Sequence, residues 1–328
     1  MPYQSPISPG LSWYEASVPE RPTYPEMDGA RQADVVVIGG GYTGLSAACH
    51  LAAQGADVVL IEAARFGDGA SGRNGGQLGT GQRIWAEDLE KEYGLTRARA
   101  LFGVAEEAKA HLLGFAKEHG IDMDYMPGQI SVVHKPRYLK QYRRHAELMA
   151  GRFDYPHLRF LDRAETVALI GSDRYHGGTY DAGTGHIHPL KLLIGMAKAA
   201  KDAGAKLYEN TKATRIETAG GRVEVETPRG TIRARHALIA VNAYGGLLEP
   251  VSASHVMPIR SFIGATAPLG ADSPVIPGGE SVDDSRFVVR YFRRTKDGRL
   301  LFGGREAYTA DNPRDISSHI RRQIAEIY

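Results

Sequence analysis

The chain has 328 residues, of which 42% are hydrophobic and 24% charged, a composition that is typical of a folded globular protein and excludes a disordered one. Its 40 Lys and Arg residues balance 38 Asp and Glu residues to a net charge of +2, which argues against nucleic acid as a partner. The sequence shows neither an apolar stretch of the roughly 18 residues that span a membrane nor the pattern of a secretory signal, and one Cys allows no internal disulfide, so we expect a cytoplasmic protein.

The first segment, residues 1–30, holds six prolines and has no hydrophobic period. This composition is typical of an extended chain. We therefore predict an N-terminal arm that lies over the surface rather than in the core.

A βαβ unit is predicted directly after the arm. The apolar runs Val35–Ile38 and Val58–Ile61 are typical of strands buried on both faces of a parallel sheet. Between them a helix is predicted from Gly44, with Leu45, Ala48 and Leu51 on one face. The succession of strand, helix and strand predicts an α/β fold.

Two further helices are predicted downstream. Apolar residues from Leu101 to Phe115 recur at spacings of three and four, which predicts a long amphipathic helix. Pro189 and Gly204 mark the start and end of another helix. Because the short strand Lys206–Glu209 follows at once, we predict a second βαβ-type crossover.

The rest of the chain is rich in β-strand patterns. Three strands of a meander, one buried strand and one hairpin are predicted, at Ala213–Thr218, Arg222–Thr227 and Thr231–Ala234, at His236–Val241, and at Arg286–Arg294 with Arg299–Phe302. We expect the hairpin to belong to a second, more exposed sheet.

The turn Gly39-Gly40-Gly41-Tyr42-Thr43-Gly44 fits G-x-G-x-x-G between a buried strand and a helix, the context of a dinucleotide-binding motif. Gly39 makes the turn, Gly41 admits a pyrophosphate to the backbone, and Gly44 lets the helix pack closely, while the helix N-terminus attracts the anion. Glu62 ends the second strand, where its carboxylate can accept hydrogen bonds from an adenosine ribose. An acidic residue at this position argues against NADP.

A second glycine-rich segment, Gly69–Gln77, favours FAD over NAD. It lies just beyond the βαβ unit, where an extended dinucleotide continues past its pyrophosphate, and its backbone N–H groups can bind phosphate oxygens and a flavin edge. The Ser71 hydroxyl and the Arg73 guanidinium can add to these contacts. The residues predicted to bind FAD are Gly39, Gly41, Tyr42, Thr43, Gly44, Glu62, Ala63, Ala70, Ser71, Arg73, Asn74, Gly75, Gly76 and Gln77.

These residues resemble the FAD-dependent D-amino-acid oxidase/glycine oxidase superfamily, and within it the gamma-glutamylputrescine oxidoreductase branch. The resemblance rests on VVVIGGGYTGLSAA, Glu62, GASGRNGGQ, GHIHPLKLL, ALIAVNAY and RLLFGGR, in this order, and it covers the chain from about Ala33 onward. It implies that Ala213 lies near the adenine of FAD and that the strand end with Ala240 and Asn242 also lies near the cofactor.

The resemblance also implies an architecture. A Rossmann-type FAD-binding domain and a discontinuous antiparallel-sheet substrate domain are expected, as in p-hydroxybenzoate hydroxylase. We assign residues 1–30 to the arm, 31–84 plus 155–250 to the FAD-binding domain, and 85–154 plus 251–312 to the substrate domain.

The family continues beyond the position of Tyr328, so the resemblance implies a C-terminally truncated chain. Residues 313–328 are then the start of a helix that is cut off, with an apolar stripe of Ile316, Ile320, Ile324 and Ile327. We expect this stripe to be exposed, and an inactive FAD-binding fragment is therefore one alternative for the function.

Flavin chemistry needs few acid or base groups, because the cofactor accepts the hydride. Arg290, Tyr291 and Arg305 are candidates for holding a substrate carboxylate. His186 and His188 have no cluster of carboxylates or cysteines beside them, so we predict helix-end structure and no metal there. Cys49 is predicted to lie in the core.

The leading functional hypothesis is an FAD-dependent oxidoreductase that converts a small amine or amino acid, such as gamma-glutamylputrescine, to an imine or aldehyde and reduces oxygen. A flavin dehydrogenase that passes electrons to a quinone or carrier is a second alternative. The sequence indicates no oligomeric state.

Overall fold

The structure, a computed structural model, describes residues 10–246, 248–308 and 315–328, and of residues 219, 252, 253 and 305 only the backbone. The chain forms two compact units, each assembled from three separate segments. Unit 1 contains Met1–Asn74, Glu118–Met123 and His188–Pro258, and unit 2 contains Gly75–Lys117, Asp124–Ile187 and Ile259–Tyr328.

The α-helices are α1 (Trp13–Ala16), α2 (Tyr42–Ala53), α3 (Ala86–Tyr93), α4 (Leu95–Glu118), α5 (Leu139–Arg152), α6 (Arg163–Ile170), α7 (Pro189–Asp202), α8 (Pro250–His255) and α9 (Ile316–Ala325). The strands are β1 (Arg31–Ile38), β2 (Val58–Ile61), β3 (Gln77–Leu78), β4 (Met126–Val132), β5 (Leu158–Leu161), β6 (Gly178–His186), β7 (Lys206–Tyr208), β8 (Arg215–Ala219), β9 (Arg222–Thr227), β10 (Gly230–Ile239), β11 (Arg260–Ala265), β12 (Ser281–Asp284), β13 (Tyr291–Arg294) and β14 (Leu300–Ala307). None of the described helices is both long enough and apolar enough to cross a membrane.

Unit 1 is built on a six-stranded sheet in the order β7-β2-β1-β10-β9-β8. Strands β7, β2, β1 and β10 are parallel, which confirms the first predicted crossover, and helices α2 and α7 pack together. The second predicted crossover is only partly correct, because β7 does follow α7 and pairs with β2, but the strand before α7 is β6 of the larger sheet. The meander is formed by β8, β9 and the first half of β10. The separate strand predicted at His236–Val241 is instead the second half of β10, because the chain continues from pairing with β9 into pairing with β1.

The N-terminal arm is more than a surface segment. It contains the short helix α1, which is closed by a capping box of Ser12 and Glu15. Met27 is fully buried in the core of unit 1, and its N–H donates to the Thr211 hydroxyl at 3.0 Å. Residues 1–9 of the predicted extended arm lie outside the described part of the chain, and its composition indicated neither the helix nor the apolar side chain that anchors it in the core.

Unit 2 is built on an eight-stranded sheet in which β11-β14-β13-β12-β4-β6-β3 are neighbours and β5 also pairs with β6. The predicted hairpin is confirmed as β13 and β14. Every pair in this sheet is antiparallel except β4 with β12, which are parallel.

The boundaries of the two units differ from those predicted. Residues 155–187 and 75–84 were assigned to the FAD-binding domain, yet they belong to unit 2. The physical reason is strand pairing, since β6 lies between β4 and β3 and also pairs with β5 in the larger sheet.

The larger sheet has one apolar and one polar face, as expected from the alternation of side chains along a strand. Ile130, Val132, Val282, Phe292 and Phe302 lie on the apolar face, in the core with residues of α6 and α9. A row of paired positions crosses the other face, running from Thr179 through Ser131 and Asp283 to Tyr291 and Gly303.

Helix α9 corrects the expectation of an exposed, interrupted helix. It ends at Ala325 and is followed by a turn in which the Glu326 N–H donates to the Arg322 carbonyl at 3.0 Å. Ile320 is only 4% exposed and Ile327 only 5%, because both belong to the core of unit 2. The predicted apolar stripe is present, and it packs against the core of unit 2.

Candidate functional site

The glycine-rich turn between β1 and α2 is compact because three of its glycines leave no room for a side chain. At Gly40 a Cβ would meet the Phe66 ring at 2.2 Å, and at the other two it would meet backbone oxygens. Gly39 has φ +106°, and a Cβ there would lie 2.5 Å from the Ala240 carbonyl oxygen. A Cβ at Gly44 would lie 1.9 Å from the Gly39 carbonyl oxygen. These two positions require glycine for the packing of the chain itself.

Gly41 is different, since the surrounding chain does not demand a glycine there. Its φ is −82°, and an added Cβ would approach only the Ser71 Oγ, at 2.9 Å. Gly41 is the N-cap of α2, and it has no side chain that could accept the first N–H groups of the helix. The Tyr42 N–H donates to Ser71 Oγ at 3.2 Å, and Thr43 is exposed. A helix N-terminus whose N-cap residue has no side chain fits a pyrophosphate.

Glu62 is positioned by the same turn. Its two carboxylate oxygens accept the N–H groups of Gly40 at 2.8 Å and of Ala64 at 3.0 Å, on either side of Ala63. Each oxygen keeps a lone pair with which it can accept a ribose hydroxyl. The structure therefore joins Glu62, directly after the second strand, to the glycine turn, while its contact with a ribose stays a prediction.

Three other predicted residues lie along the same edge of the smaller sheet. The Thr211 N–H donates to the Glu62 carbonyl at 2.8 Å, which places Ala213 two residues beyond this contact. The Ala240 N–H donates to the Ile38 carbonyl at 2.8 Å, and Asn242 begins a short 3-10 helix with φ +49°.

The first part of the second glycine-rich segment folds against the start of α2 in unit 1. Residues Ala70–Gly72 form a 3-10 turn, and the Asn74 side-chain amide donates to the Ser71 carbonyl at 3.0 Å. The Arg73 guanidinium donates to the Asp68 carbonyl. The Asn74 carbonyl in turn accepts the Tyr14 hydroxyl. The segment is thus an ordered loop rather than a free one.

The remaining part of that segment belongs to unit 2. Gly76 has φ +79°, and its carbonyl accepts the Ile187 N–H at 2.8 Å, just before Gln77 begins β3. The Gly75 carbonyl accepts the Arg293 Nε at 2.8 Å. A Cβ at Gly75 would lie 3.0 Å from the Tyr291 ring, so this predicted substrate residue packs directly beside a predicted cofactor residue.

Arg290, another predicted substrate residue, contacts a different part of unit 2. The Arg290 guanidinium pairs with Glu326 at 2.5 Å, just beyond the end of α9, so its charge is already used within unit 2. Arg305 lies in β14, and its side chain is outside the part of the chain that the structure describes.

A cavity of about 710 Å³ lies within unit 2. Its floor is the polar face of the larger sheet, including Thr179, Ser131 and Asp283, and helices α3 and α5 contribute Ala86, Leu89, Tyr142 and His145 to its lining. Neither Arg290 nor Tyr291 belongs to this lining.

Asp283 is the central polar group of the cavity floor. Its Oδ1 accepts the Gln129 Nε2 at 2.7 Å and the Ser131 Oγ at 2.8 Å. Burial raises the pKa of this carboxyl to about 6, although the two hydrogen bonds oppose that rise.

Sequence reasoning missed Gln129, Ser131 and Asp283. A signal was present, since Gln129-Ile130-Ser131-Val132 alternates polar and apolar residues as a strand with one solvated face does. Their convergence depends on the parallel pairing of β4 with β12, which is remote in sequence.

The histidines and the cysteine have structural environments. His188 is the N-cap of α7, as predicted, and its Nδ1 accepts the Lys191 N–H at 3.3 Å. His186 lies in β6, hydrogen-bonded to the Gly279 carbonyl at 2.8 Å, and burial lowers its pKa to about 4. Cys49 is buried in α2, which raises its pKa. Among the described residues, no group of three or more His, Cys, Asp or Glu is placed to hold a metal ion.

The sequence of this chain matches a known family and is similar to known oxidoreductases. The family model DAO, described as FAD dependent oxidoreductase, matches residues 34–328. The probable oxidoreductase OrdL of Rhizobium meliloti (strain 1021) is 66% identical over 328 residues, which is 100% of this chain and 77% of the relative. Gamma-glutamylputrescine oxidoreductase of Escherichia coli (strain K12) is 38% identical over 308 residues, which is 93% of this chain and 72% of the relative.

Among solved structures, glycine oxidase from Geobacillus kaustophilus has a similar fold. The TM-score is 0.71 at 21% sequence identity, and the match covers 90% of this chain and 78% of the other.

Proposed function

Because the chain belongs to the DAO family of FAD-dependent oxidoreductases, we propose that it oxidises the carbon–nitrogen bond of a small amine or amino acid. The product is an imine, which water hydrolyses to a carbonyl compound, and oxygen is the electron acceptor. The proposal is supported by the similarity to gamma-glutamylputrescine oxidoreductase and by a cavity whose floor presents oxygen acceptors to a ligand rich in N–H donors.

We propose that the glycine turn and Glu62 hold the adenosine diphosphate part of FAD. The space beside Gly41 and the first N–H groups of α2 suit the pyrophosphate, and the lone pairs left on Glu62 suit the ribose. Ala213, Ala240 and Asn242 lie along the same sheet edge and complete the proposed site.

When bound, FAD supplies the two-electron acceptor for the hydride that leaves the substrate carbon. The chain's own residues contribute binding and orientation. Ser131 and Thr179 can accept hydrogen bonds from the substrate, and Trp85, Leu89 and Tyr142 give the cavity walls an apolar surface that reduces access of water. No acid or base catalyst is assigned.

The test is to mix the flavin-loaded protein with a panel of amines and amino acids in the absence of oxygen. At least one amine should bleach the flavin absorbance near 450 nm and yield its carbonyl product after hydrolysis. A loaded protein that no member of the panel reduces would contradict the proposed activity.

The acceptor is tested by admitting air to the reduced protein. Stoichiometric hydrogen peroxide is expected for an oxidase. Slow reoxidation in air together with fast reoxidation by a soluble quinone would replace oxygen with a quinone or carrier as the acceptor and leave the amine chemistry intact.

A further inference from the structure

The cavity floor of unit 2 carries a carboxylate that the protein itself does not neutralise. Both hydrogen bonds to Asp283 go to Oδ1, and among the described residues none donates to Oδ2 or forms an ion pair with this side chain. The Gln129 Oε1, on the amide that holds Asp283, is also buried without a described partner. Asp283 is partly exposed to the cavity, so a cationic ligand can reach the remaining carboxylate oxygen and pair with it.

The two other carboxylates that line the cavity each have a cation near them. Asp181 accepts the Tyr155 hydroxyl at 2.7 Å and the Gly183 N–H at 2.9 Å, both at Oδ1, and the positive charge of Lys109 opposes the rise in pKa that burial causes. Asp284 pairs with Arg286 and accepts the Arg290 N–H at 3.2 Å. Asp283 is the member of this group whose charge no described cation counters.

Aromatic rings give the same cavity a second means of binding a cation. Trp85 and Tyr142 both line it, with ring centroids 5.3 Å apart in an edge-to-face arrangement. Burial, followed by the negative charges of Asp283 and Asp284, raises the pKa of the Tyr142 hydroxyl, so this ring lies within electrostatic reach of the carboxylate. Ring faces attract ammonium groups.

The nitrogen at the reacting carbon has to be neutral, because its lone pair forms the carbon–nitrogen double bond as the hydride leaves. A carboxylate favours the protonated form of any amine beside it. Asp283 is consequently suited to a nitrogen that does not react.

We propose that Asp283 binds a second, non-reacting ammonium group of the substrate, so that the substrate class is an aliphatic diamine or another amine with a second basic nitrogen. This inference rests on the proposed amine oxidation. At pH 8 the Asp283 carboxyl is charged, since its pKa is about 6.

The test compares linear diamines of three to six carbons with monoamines of the same length, using anaerobic flavin reduction at pH 8. We expect the best diamine to exceed its matched monoamine by about 10–100-fold in kcat/KM, the range of one hydrogen bond to a charged group. Asp283→Asn keeps Oδ1 as an acceptor for Gln129 and Ser131, and it should remove most of this preference by raising KM far more for the diamine than for the monoamine.

Asp88→Asn is the matched control, because Asp88 is an exposed carboxylate of α3 outside the cavity lining. It should retain the diamine preference. Equal rates for diamines and monoamines in the wild type, or an equal loss for both in Asp283→Asn, would overturn the inference while the proposed amine oxidation stands.

If no amine reduces the flavin, the proposed function fails and binding becomes the measurement. Isothermal titration calorimetry with 1,4-diaminobutane and butylamine should then still show diamine binding that Asp283→Asn weakens about 10–100-fold. Absence of that difference would overturn the inference independently of turnover.

Discussion

Gly41 and Gly44 lie three residues apart in one turn, yet a methyl group has different consequences at each. At Gly44 it would meet a backbone oxygen at 1.9 Å, whereas at Gly41 it would meet the Ser71 Oγ at 2.9 Å, and that side chain can rotate. We expect Gly41→Ala to leave the apoprotein folded, because only a side chain has to move, and to abolish FAD retention, because the methyl group occupies the space proposed for the pyrophosphate. Thermal unfolding of the apoprotein and flavin absorbance per protein measure the two effects.

The double variant Gly41→Ala with Ser71→Ala is the control for this prediction. It removes the contact with the Ser71 hydroxyl and keeps the methyl group. Recovery of FAD in the double variant would mean that displacement of Ser71, and not the pyrophosphate, caused the loss.

Two titratable groups of unit 2 change the free energy of unfolding in opposite directions as the pH falls. His186 has its pKa lowered to about 4 by burial and by the charge of Arg293, whereas burial raises the pKa of Asp283 to about 6. In an unfolded chain the corresponding values are about 6.5 and 3.9.

Between about pH 6.5 and 4 the unfolded chain protonates His186 before the folded protein does, so this residue lowers stability on acidification. Between about pH 6 and 4 the folded protein protonates Asp283 before the unfolded chain does, so this residue raises the stability on acidification. Each full shift corresponds to about 3 kcal/mol.

Relative to the wild type, we therefore expect His186→Gln to gain stability as the pH falls from 6.5 to 4 and Asp283→Asn to lose it. Gln can preserve the donor to the Gly279 carbonyl. Urea unfolding at several pH values measures both differences. If the stability of each variant follows the same pH dependence as that of the wild type, neither pKa is shifted.

At the scale of elements, helix α9 shows that the burial of an apolar stripe depends on the surface against which the helix packs. The isoleucine spacing correctly predicted a helix, but the surface that buries it includes β11 and β14. Because that surface is assembled by non-local strand pairing, burial of the stripe could not be predicted from the helix alone.

Ile320→Ala should destabilise the protein by about 2–5 kcal/mol, the range for truncating a buried isoleucine. The neighbouring Arg321 is exposed, so Arg321→Ala should change the free energy of unfolding by no more than about 0.5 kcal/mol. Equilibrium unfolding in urea distinguishes the two. Similar small effects would mean that α9 is not part of the core.

The difference between local contacts and contacts made by non-local strand pairing explains which parts of the candidate site could be predicted. The segment from Val35 to Glu62 contains its own strands, helix and turn, so local pattern sufficed to predict these elements, whereas the hydrogen bond from the Gly40 N–H to Glu62 was found only in the structure. Asp283 meets Gln129 and Ser131 only through the register of β4 with β12. Likewise the residues of β6 were assigned to the FAD-binding domain, because their own pattern does not identify the strands with which they pair.

At the scale of the whole molecule, removal of the cofactor should lower the melting temperature, and added FAD should restore it. A ligand that binds only the folded protein contributes about 2.7 kcal/mol at 100 times its Kd. FMN should not substitute, since it lacks the adenosine and pyrophosphate that Glu62 and the glycine turn are proposed to bind. Differential scanning fluorimetry with each flavin measures this, and equal stabilisation by FMN would contradict the proposed site.

Both sheets depend on strands that leave the ribosome at very different times. Strand β1 pairs with β10 in the register Arg31↔Ile232, and β4 pairs with β12 in the register Gln129↔Ser281. At 5–20 residues per second, β1 waits about 10–40 s for its neighbour. Throughout that interval the apolar run Val35–Ile38 has an unpaired edge, so nascent chains of this enzyme should depend on chaperones during synthesis, and slower translation should increase misfolding.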